Sequence, residues 1–176
     1  MSHALLHRLL DGTLPDPDGG GILSVPIDRV EIGHNLASGA AALVGSLGFG
    51  RRLAVVMDPA TRRAMGEAVA ASLGSRFEAC PVVLEESPHP DMPAVERIVA
   101  KTRGADALVA VGSGSVNDIA KHAAHLTKRP YAVFGTAPSM NGYTSVSAAI
   151  TENGLKKSLS STAARGVFLD LDVLAS

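Results

Sequence analysis

Gly112-Ser113-Gly114-Ser115 stands between an apolar run, residues 107–111, and a segment with helical spacing that begins near Val116. Two glycines let a backbone turn sharply and let a ligand approach it closely. A helix N-terminus just after them presents unpaired N–H groups and a positive dipole end. Together these make an anion site, most naturally for a phosphate. Ser113 and Ser115 add hydroxyl donors. The pattern departs from the usual dinucleotide fingerprint, because the third glycine would fall where Asn117 stands, and no Gly-Lys-Ser/Thr follows to make a Walker loop. The same residues also suit a plain strand-to-helix turn, with Ser115 as N-cap and Asp118 completing a capping-box variant. Capping and phosphate binding are compatible.

Three other groups bear on chemistry. Asp58 follows the apolar run 53–57. An acid at the carboxyl end of a strand can accept both hydroxyls of an adenine ribose, and it can equally cap the helix that Pro59 opens. In the usual fingerprint this acid follows the glycine loop, whereas here it precedes it, which demands a different topology. Thr136-Ala137-Pro138-Ser139-Met140-Asn141-Gly142 follows another apolar run, 131–134. It is richer in hydroxyl and amide groups than a bare turn requires. Lys156 and Lys157 are adjacent, so on a strand they face opposite sides. One can meet an anion while the other is solvated, and alternation alone does not say which. Apart from His3 and His7 the six histidines are scattered, with no further H-x-x-x-H pair, so no zinc or iron ligand set is legible.

The elements that must position these residues alternate. Residues 1–10 suit a short amphipathic helix, and the Gly-, Pro- and Asp-rich residues 11–21 suit a flexible lead-in. Strands are expected over 25–32, 53–57, 81–84, 107–111, 131–134 and 167–169. Helices are expected over 36–47 with Asn35 as N-cap, over 60–73, over 94–103 after a proline-rich loop at 85–93, and over 116–126. Strands alternating with helices mean βαβ units and a mostly parallel sheet. Residues 146–150 and 155–159 flank Asn153-Gly154, the strongest short hairpin signal. The expected fold class is therefore α/β: a three-layer, mostly parallel, Rossmann-like sheet with a C-terminal β-hairpin appendage. The expected division is an extension over 1–22 and an α/β domain over 23–176.

Composition narrows the function. The chain has 176 residues, a length for one domain with a sizeable core. Lys plus Arg is 16 against 17 for Asp plus Glu, and this near-neutral balance argues against a dedicated nucleic-acid binder. Aromatic residues make up 3% and glycines number 18, so the core must be Ala, Val, Leu and Ile, which suits helices lying close on a buried sheet. The single cysteine, Cys80, excludes an internal disulfide framework and fits a reducing cytoplasm. No stretch reaches the ~20 apolar residues that span a bilayer, and residues 1–10 lack a signal-peptide core.

Three motifs in this order, Gly112-Ser-Gly-Ser-Val-Asn-Asp118, Thr136-Ala-Pro-Ser-Met-Asn-Gly-Tyr143 and Phe168-Leu-Asp-Leu-Asp-Val-Leu174, resemble those of the sn-glycerol-1-phosphate dehydrogenases. These belong to the superfamily of iron-containing alcohol dehydrogenases and dehydroquinate synthase. The resemblance runs from about residue 26 to the C-terminus. It implies an N-terminal nucleotide-binding domain, then a helical metal-binding domain, with NAD or NADP lying across the sheet edge and the cleft. On this resemblance Gly112 and Ser113 lead into Gly114, Ser115, Val116, Asn117 and Asp118, which would hold the pyrophosphate. Asp58 would sit by the adenine ribose and favour NAD over NADP, because its charge repels a 2′-phosphate. Thr136, Ala137, Pro138, Ser139 and Ser145 would line the cofactor. Asn141 occupies a position held in many relatives by an aspartate that contacts the polyol; Asn keeps the shape and one acceptor but loses the charge.

The family's metal ligands, one aspartate and two histidines, lie beyond the Asp-Leu-Asp-Val-Leu segment. Asp170 and Asp172 match the strand before them. The resemblance therefore implies a cofactor domain whose divalent metal belongs to a further helical domain, so that residues 1–176 alone would not complete the reaction. The implied partner is a small polyol or polyol phosphate, with homo-oligomers common among relatives and no nucleic acid or membrane. Alternatives are the cofactor domain of a dehydroquinate synthase-type cyclase and a non-catalytic nucleotide-binding module.

Overall fold

The computed structural model describes the backbone of residues 2–176 and the side chains of residues 4–176. The chain opens with helix α1 (Ser2–Leu10); Met1, included in the expected helix, lies outside the described residues. Residues 11–21 are not featureless. β1 (Leu14–Pro15) and β2 (Ile22–Leu23) pair antiparallel around a tight turn, in which the Asp18 amide donates to Asp16 Oδ1 at 3.0 Å. β3 (Arg29–Gly33) begins later than expected, because its partner strand begins only at Gly166.

Asn35 is not an N-cap. It sits at φ 53°, in the left-handed region, and α2 (Ala40–Gly45) starts only after Gly39. The amides of Asn35 and Leu36 donate instead to the carboxylates of Asp172 (3.2 Å) and Asp170 (2.7 Å). β4 (Arg52–Met57) is buried from Leu53 onward. The helix expected over 60–73 is interrupted. α3 (Pro59–Thr61) runs into a π-helical turn (Arg62–Gly66) and then α4 (Glu67–Gly74). Gly66 ends that turn against Met57, whose sulfur would lie 2.7 Å from any added Cβ.

β5 (Glu78–Val83) includes Pro81 because it is an edge strand, where a missing N–H leaves no ladder bond unmade. α5 (Met92–Lys101) starts two residues before the expected 94. Asp91 caps it by accepting from the Ala94 amide at 2.8 Å, and Pro93 falls in the first turn, where proline is tolerated. Then come β6 (Ala107–Gly112), α6 (Gly114–Leu126), β7 (Tyr131–Gly135), the hairpin β8 (Ser147–Glu152) and β9 (Leu155–Ser160), β10 (Gly166–Asp170) and α7 (Leu171–Leu174). Asn153 and Gly154 turn the hairpin with φ of 53° and 76°, the two positive values such a turn needs.

Six strands form one sheet in the order β3-β10-β7-β6-β4-β5, every pair parallel. One face packs Leu43, Val44, Val69 and Leu73 of α2 and α4 against Val55, Val109 and Phe134. The other packs Val95, Ile98, Ile119 and Ala123 of α5 and α6 against Val56, Leu108 and Val133. Burying each Ile or Leu contributes about 1.5–3 kcal/mol, so these two faces hold the three layers together. The hairpin closes over α6, with Ala148 and Ile150 of β8 in the same core.

This order creates a switch point. β4 continues through α3 and α4 on one face to the sheet edge, while its neighbour β6 continues into α6 on the opposite face. The loops after β4 and β6 therefore part above the carboxyl ends of adjacent strands. Ligands of open α/β sheets bind in such a crevice.

Candidate cofactor and substrate cleft

The glycine loop tops β6. Gly112 ends the strand, and Ser113 is the N-cap residue of α6, so the helix starts earlier than the expected Ser115 cap. Ser113 makes no side-chain capping bond. Asp118 does not complete a capping box either. Its Oδ2 accepts from the Ala149 amide of β8 at 3.2 Å, and its Oδ1 accepts from Asn117 Nδ2 at 3.2 Å. The amides of Gly114, Ser115 and Val116 have no hydrogen-bond partner among the described residues and are the orphan donors of an uncapped helix start. Gly112 must lack a side chain: a Cβ would lie 2.5 Å from Val116 Cβ, so the turn closes directly on the helix. An added Cβ on Gly114 would meet only the Met140 sulfur, at 3.9 Å, so the loop's outer side is open.

Asn117 is turned away from the cleft. Its amide donates to the Ser113 carbonyl at 2.9 Å, its side chain is fully buried, and Oδ1 has no partner among the described residues. The Val116 side chain is likewise buried. Of the two residues, only the Val116 amide is available to a ligand.

Asp58 stands on the other side of the switch point. It caps α3 in a reciprocal box with Thr61: Oδ1 accepts from the Thr61 amide at 2.7 Å, and the Asp58 amide donates to Thr61 Oγ1 at 3.0 Å. Oδ2 has no partner among the described residues, so the cap leaves one oxygen for a ligand.

The arm after β7 forms the third wall. Thr136 is tied to the glycine loop, its amide donating to the Gly112 carbonyl at 3.3 Å. The Tyr143 hydroxyl folds back on Ala137, accepting from its amide at 3.2 Å and donating to its carbonyl at 3.1 Å. Burial pushes that phenol up from its ordinary value. Pro138, Ser139 and Asn141 are exposed along the arm's crest, and Ser145 is half-buried, its hydroxyl 2.9 Å from that of Ser147.

A cleft of about 440 Å³ opens between α6, the arm and the hairpin, lined by Gly114, Asp118, Met140, Asn141, Gly142, Ser145, Ser147, Ala149 and Ser158. It thus gathers Gly114, Asp118, Asn141 and Ser145. Asp58, Gly112, Thr136 and Ser139 sit around the neighbouring strand ends and outside the cleft wall. The hairpin register settles the two lysines. Ala149 pairs with Ser158 and Thr151 with Lys156, so Lys156 shares the cleft-facing side. Lys157 pairs with Ile150 on the opposite face and binds Glu152 at 2.7 Å. The Lys156 charge acts on Asp118, whose carboxyl burial nonetheless pushes up.

One residue escaped sequence reasoning. Lys121 is fully buried, its ammonium donating to the carbonyls of Gly142 at 2.7 Å and Ser147 at 3.1 Å. Its helical position three residues after Asp118 was the only signal available.

The residues fit a dinucleotide. An uncapped helix start, a glycine turn too tight for a side chain and a carboxylate oxygen to spare meet at one switch point. They do not fit a metal. Asp170 spends its oxygens on the amides of Leu36 (2.7 Å) and Asp172 (3.1 Å), and Asp172 binds His34 Nδ1 at 2.7 Å. Among the described residues, no three His, Cys, Asp or Glu side chains are grouped to hold a metal ion. No described helix is long and apolar enough to cross a membrane.

Similarity to known proteins establishes the family. The chain is 31% identical over 154 residues to a glycerol-1-phosphate dehydrogenase [NAD(P)+] of Bacillus licheniformis, a match spanning 84% of this chain and 38% of that protein. It is 28% identical to the protein of the same name from Thermococcus kodakarensis, over 83% of this chain and 42% of that one. The chain thus spans about two fifths of the length of these relatives. Among solved structures, maleylacetate reductase from a Rhizobium species superposes with a TM-score of 0.67 at 27% identity, over 81% of this chain and 40% of that one. Glycerol dehydrogenase of Schizosaccharomyces pombe shares the fold, with a TM-score of 0.72 at 18% identity, over 84% of this chain and 38% of that one. Residues 31–176 match the profile of the iron-containing alcohol dehydrogenases, and the chain belongs to that family.

Proposed function

We propose that residues 23–176 form the cofactor-binding part of an NAD(P)-dependent dehydrogenase that acts on a small polyol or polyol phosphate. The observation that carries this reading is the uncapped start of α6, which opens at the β4–β6 switch point and faces the arm bearing Asn141. The Bacillus and Thermococcus relatives, named for glycerol 1-phosphate, support it.

Bound NAD(P) would supply the hydride acceptor or donor. The orphan amides of Gly114, Ser115 and Val116 would take the pyrophosphate, where backbone donors and the helix dipole both favour an anion. Asp58 would offer Oδ2 to the adenine ribose, and its negative charge would disfavour a 2′-phosphate, which sets NAD above NADP. Thr136, Ser139 and Ser145, along the arm with Ala137 and Pro138, would orient the cofactor across the cleft. Asn141 would hold a substrate hydroxyl through a neutral amide, able both to donate and to accept. Lys156, on the cleft side of β9, would attract a substrate phosphate. The described residues provide no metal donor set. A cytoplasmic setting and self-association belong to the same reading.

The test is a thermal shift of this chain with NADH and NADPH. A ligand at a hundred times its Kd adds about 2.7 kcal/mol to stability if it binds only the folded state. NADH should raise the transition more than NADPH at equal concentration. If neither moves it, the cofactor assignment fails.

A further inference from the structure

Lys121 projects from α6, the helix whose N-terminus forms the glycine loop, and its side chain has no exposed surface. An ammonium has three N–H donors. One goes to the Gly142 carbonyl at 2.7 Å and one to the Ser147 carbonyl at 3.1 Å. The Asp118 carboxylate stands 4.0 Å away, beyond hydrogen-bond reach. Withdrawing a cation from water is costly unless other groups replace its hydration. Here two neutral carbonyls do most of that replacement.

The location of those carbonyls gives the arrangement its meaning. Gly142 directly follows Asn141, and Ser147 opens β8. The segment between them is drawn into a turn by the Ser145 amide, which donates to the same Gly142 carbonyl at 3.2 Å. One point charge on the cofactor helix thus grips both ends of the turn beside the candidate substrate amide. Asp118, one helical turn earlier, holds the next stretch of the same strand through the Ala149 amide. Lys121 itself does not line the cleft.

We propose that Lys121 is a positioning residue: it fixes residues 142–147 on α6, so that binding of a hydroxylated ligand at the adjoining Asn141 depends on an ammonium that does not touch it. The proposal rests on the reading of the cleft as a site for cofactor and polyol. Methionine at this position fills a similar volume but strips the Ser147 carbonyl of the ammonium and leaves the Gly142 carbonyl with the Ser145 amide alone. The turn then moves towards water, while the glycine loop, held by Gly112 and Val116, keeps its shape. A lysine that merely stabilised the fold would weaken both ligands alike; a positioning lysine weakens one.

The experiment compares the wild-type chain with Lys121→Met by amide hydrogen exchange and by titration with NADH, then with glycerol 1-phosphate in the presence of NADH. In K121M the amides of residues 142–147 should exchange about tenfold faster, with those of β6 unchanged. The Kd for NADH should stay within about twofold, and that for glycerol 1-phosphate should rise about tenfold. Unchanged exchange in 142–147, or parallel weakening of both ligands, overturns the proposal. If K121M does not fold, Lys121→Gln, which keeps two N–H donors on a shorter, uncharged side chain, is read in the same way, with about threefold changes expected. If the wild-type chain binds neither ligand, the cofactor reading falls, and the exchange comparison alone decides whether Lys121 fixes the turn.

Discussion

Asp58 does one visible job and is proposed to do another, and two substitutions separate them. Its Oδ1 accepts from the Thr61 amide at 2.7 Å, and its charge faces the switch point. Asp58→Ala removes the cap and the charge together. Loss of a capping side chain costs about 1 kcal/mol, which in a chain of this size lowers Tm by roughly 2–4 °C. Asp58→Asn keeps an oxygen for Thr61, because Asn caps as well as Asp, so Tm should change by less than about 1 °C. The charge effect is separate. A carboxylate about 6 Å from a doubly charged 2′-phosphate repels it by about 1.4 kcal/mol even in water-like surroundings, roughly a tenfold penalty on NADP. The NADH-to-NADPH affinity ratio should therefore fall about tenfold in Asp58→Asn, with Tm nearly unmoved. Asp58→Ala should show the same fall in ratio and the lower Tm. Calorimetric titration with each cofactor, beside a melting curve of the unliganded chain, reads both quantities. If Asp58→Asn leaves the ratio unchanged, the charge has no part in ribose discrimination; if Asp58→Ala melts with the wild type, the capping box contributes nothing.

Further outcomes follow from the geometry. Gly112→Ala would place a Cβ 2.5 Å from Val116 Cβ, so it should cost about 1–3 kcal/mol and weaken NADH, and Val116→Ala in the same chain should recover part of both in denaturant titrations. Ile119→Ala, beneath the hairpin with no exposed surface, should cost about 2–5 kcal/mol of unfolding free energy in urea. Gly154→Ala, at φ 76°, should speed amide exchange across β8 and β9, whereas Asn153→Gly should not. The Asp172 carboxylate accepts from the His34 ring and raises its pKa above 6.5, while His34 holds Asp172 below 3.8. The His34 contribution is thus full below pH 6.5 and is lost as pH rises through the raised value. The Asp172 contribution is present above pH 3.8 and is lost as pH falls through the lowered value. An NMR titration should place His34 above the ordinary histidine value in the wild type and shift it downward in Asp172→Asn.

Legibility in the sequence followed locality. The runs 53–57, 107–111 and 131–134 could be read because strands buried on both faces are apolar at every position. Asn153-Gly154 could be read because its backbone demand is met by two adjacent residues. Asn35 misled because its left-handed conformation is set by Asp172, which comes from the far end of the chain. The Pro93 region read as a loop, since a proline in a helical first turn looks like a breaker until Asp91 is known to be the cap. The cleft itself was half visible. Gly114, Asp118, Asn141 and Ser145 carry motif signals, yet alternation could not choose between Lys156 and Lys157; the register of β9 against β8 chose. Lys121 was invisible because its partners are main-chain carbonyls, which leave no mark in side-chain types.

The position of β10 has a consequence for how the protein is made. β3, the first strand of the large sheet, pairs with β10 alone, and β10 is the last of that sheet's six strands in chain order. On the ribosome, β4 to β7 can assemble as they emerge, while β3 waits with both edges unpaired until Gly166 appears. The long contact lies at the slow end of folding, where an exposed edge invites pairing with another chain. A nascent chain stalled before residue 166 should therefore carry a folded four-stranded centre and a protease-sensitive N-terminal third.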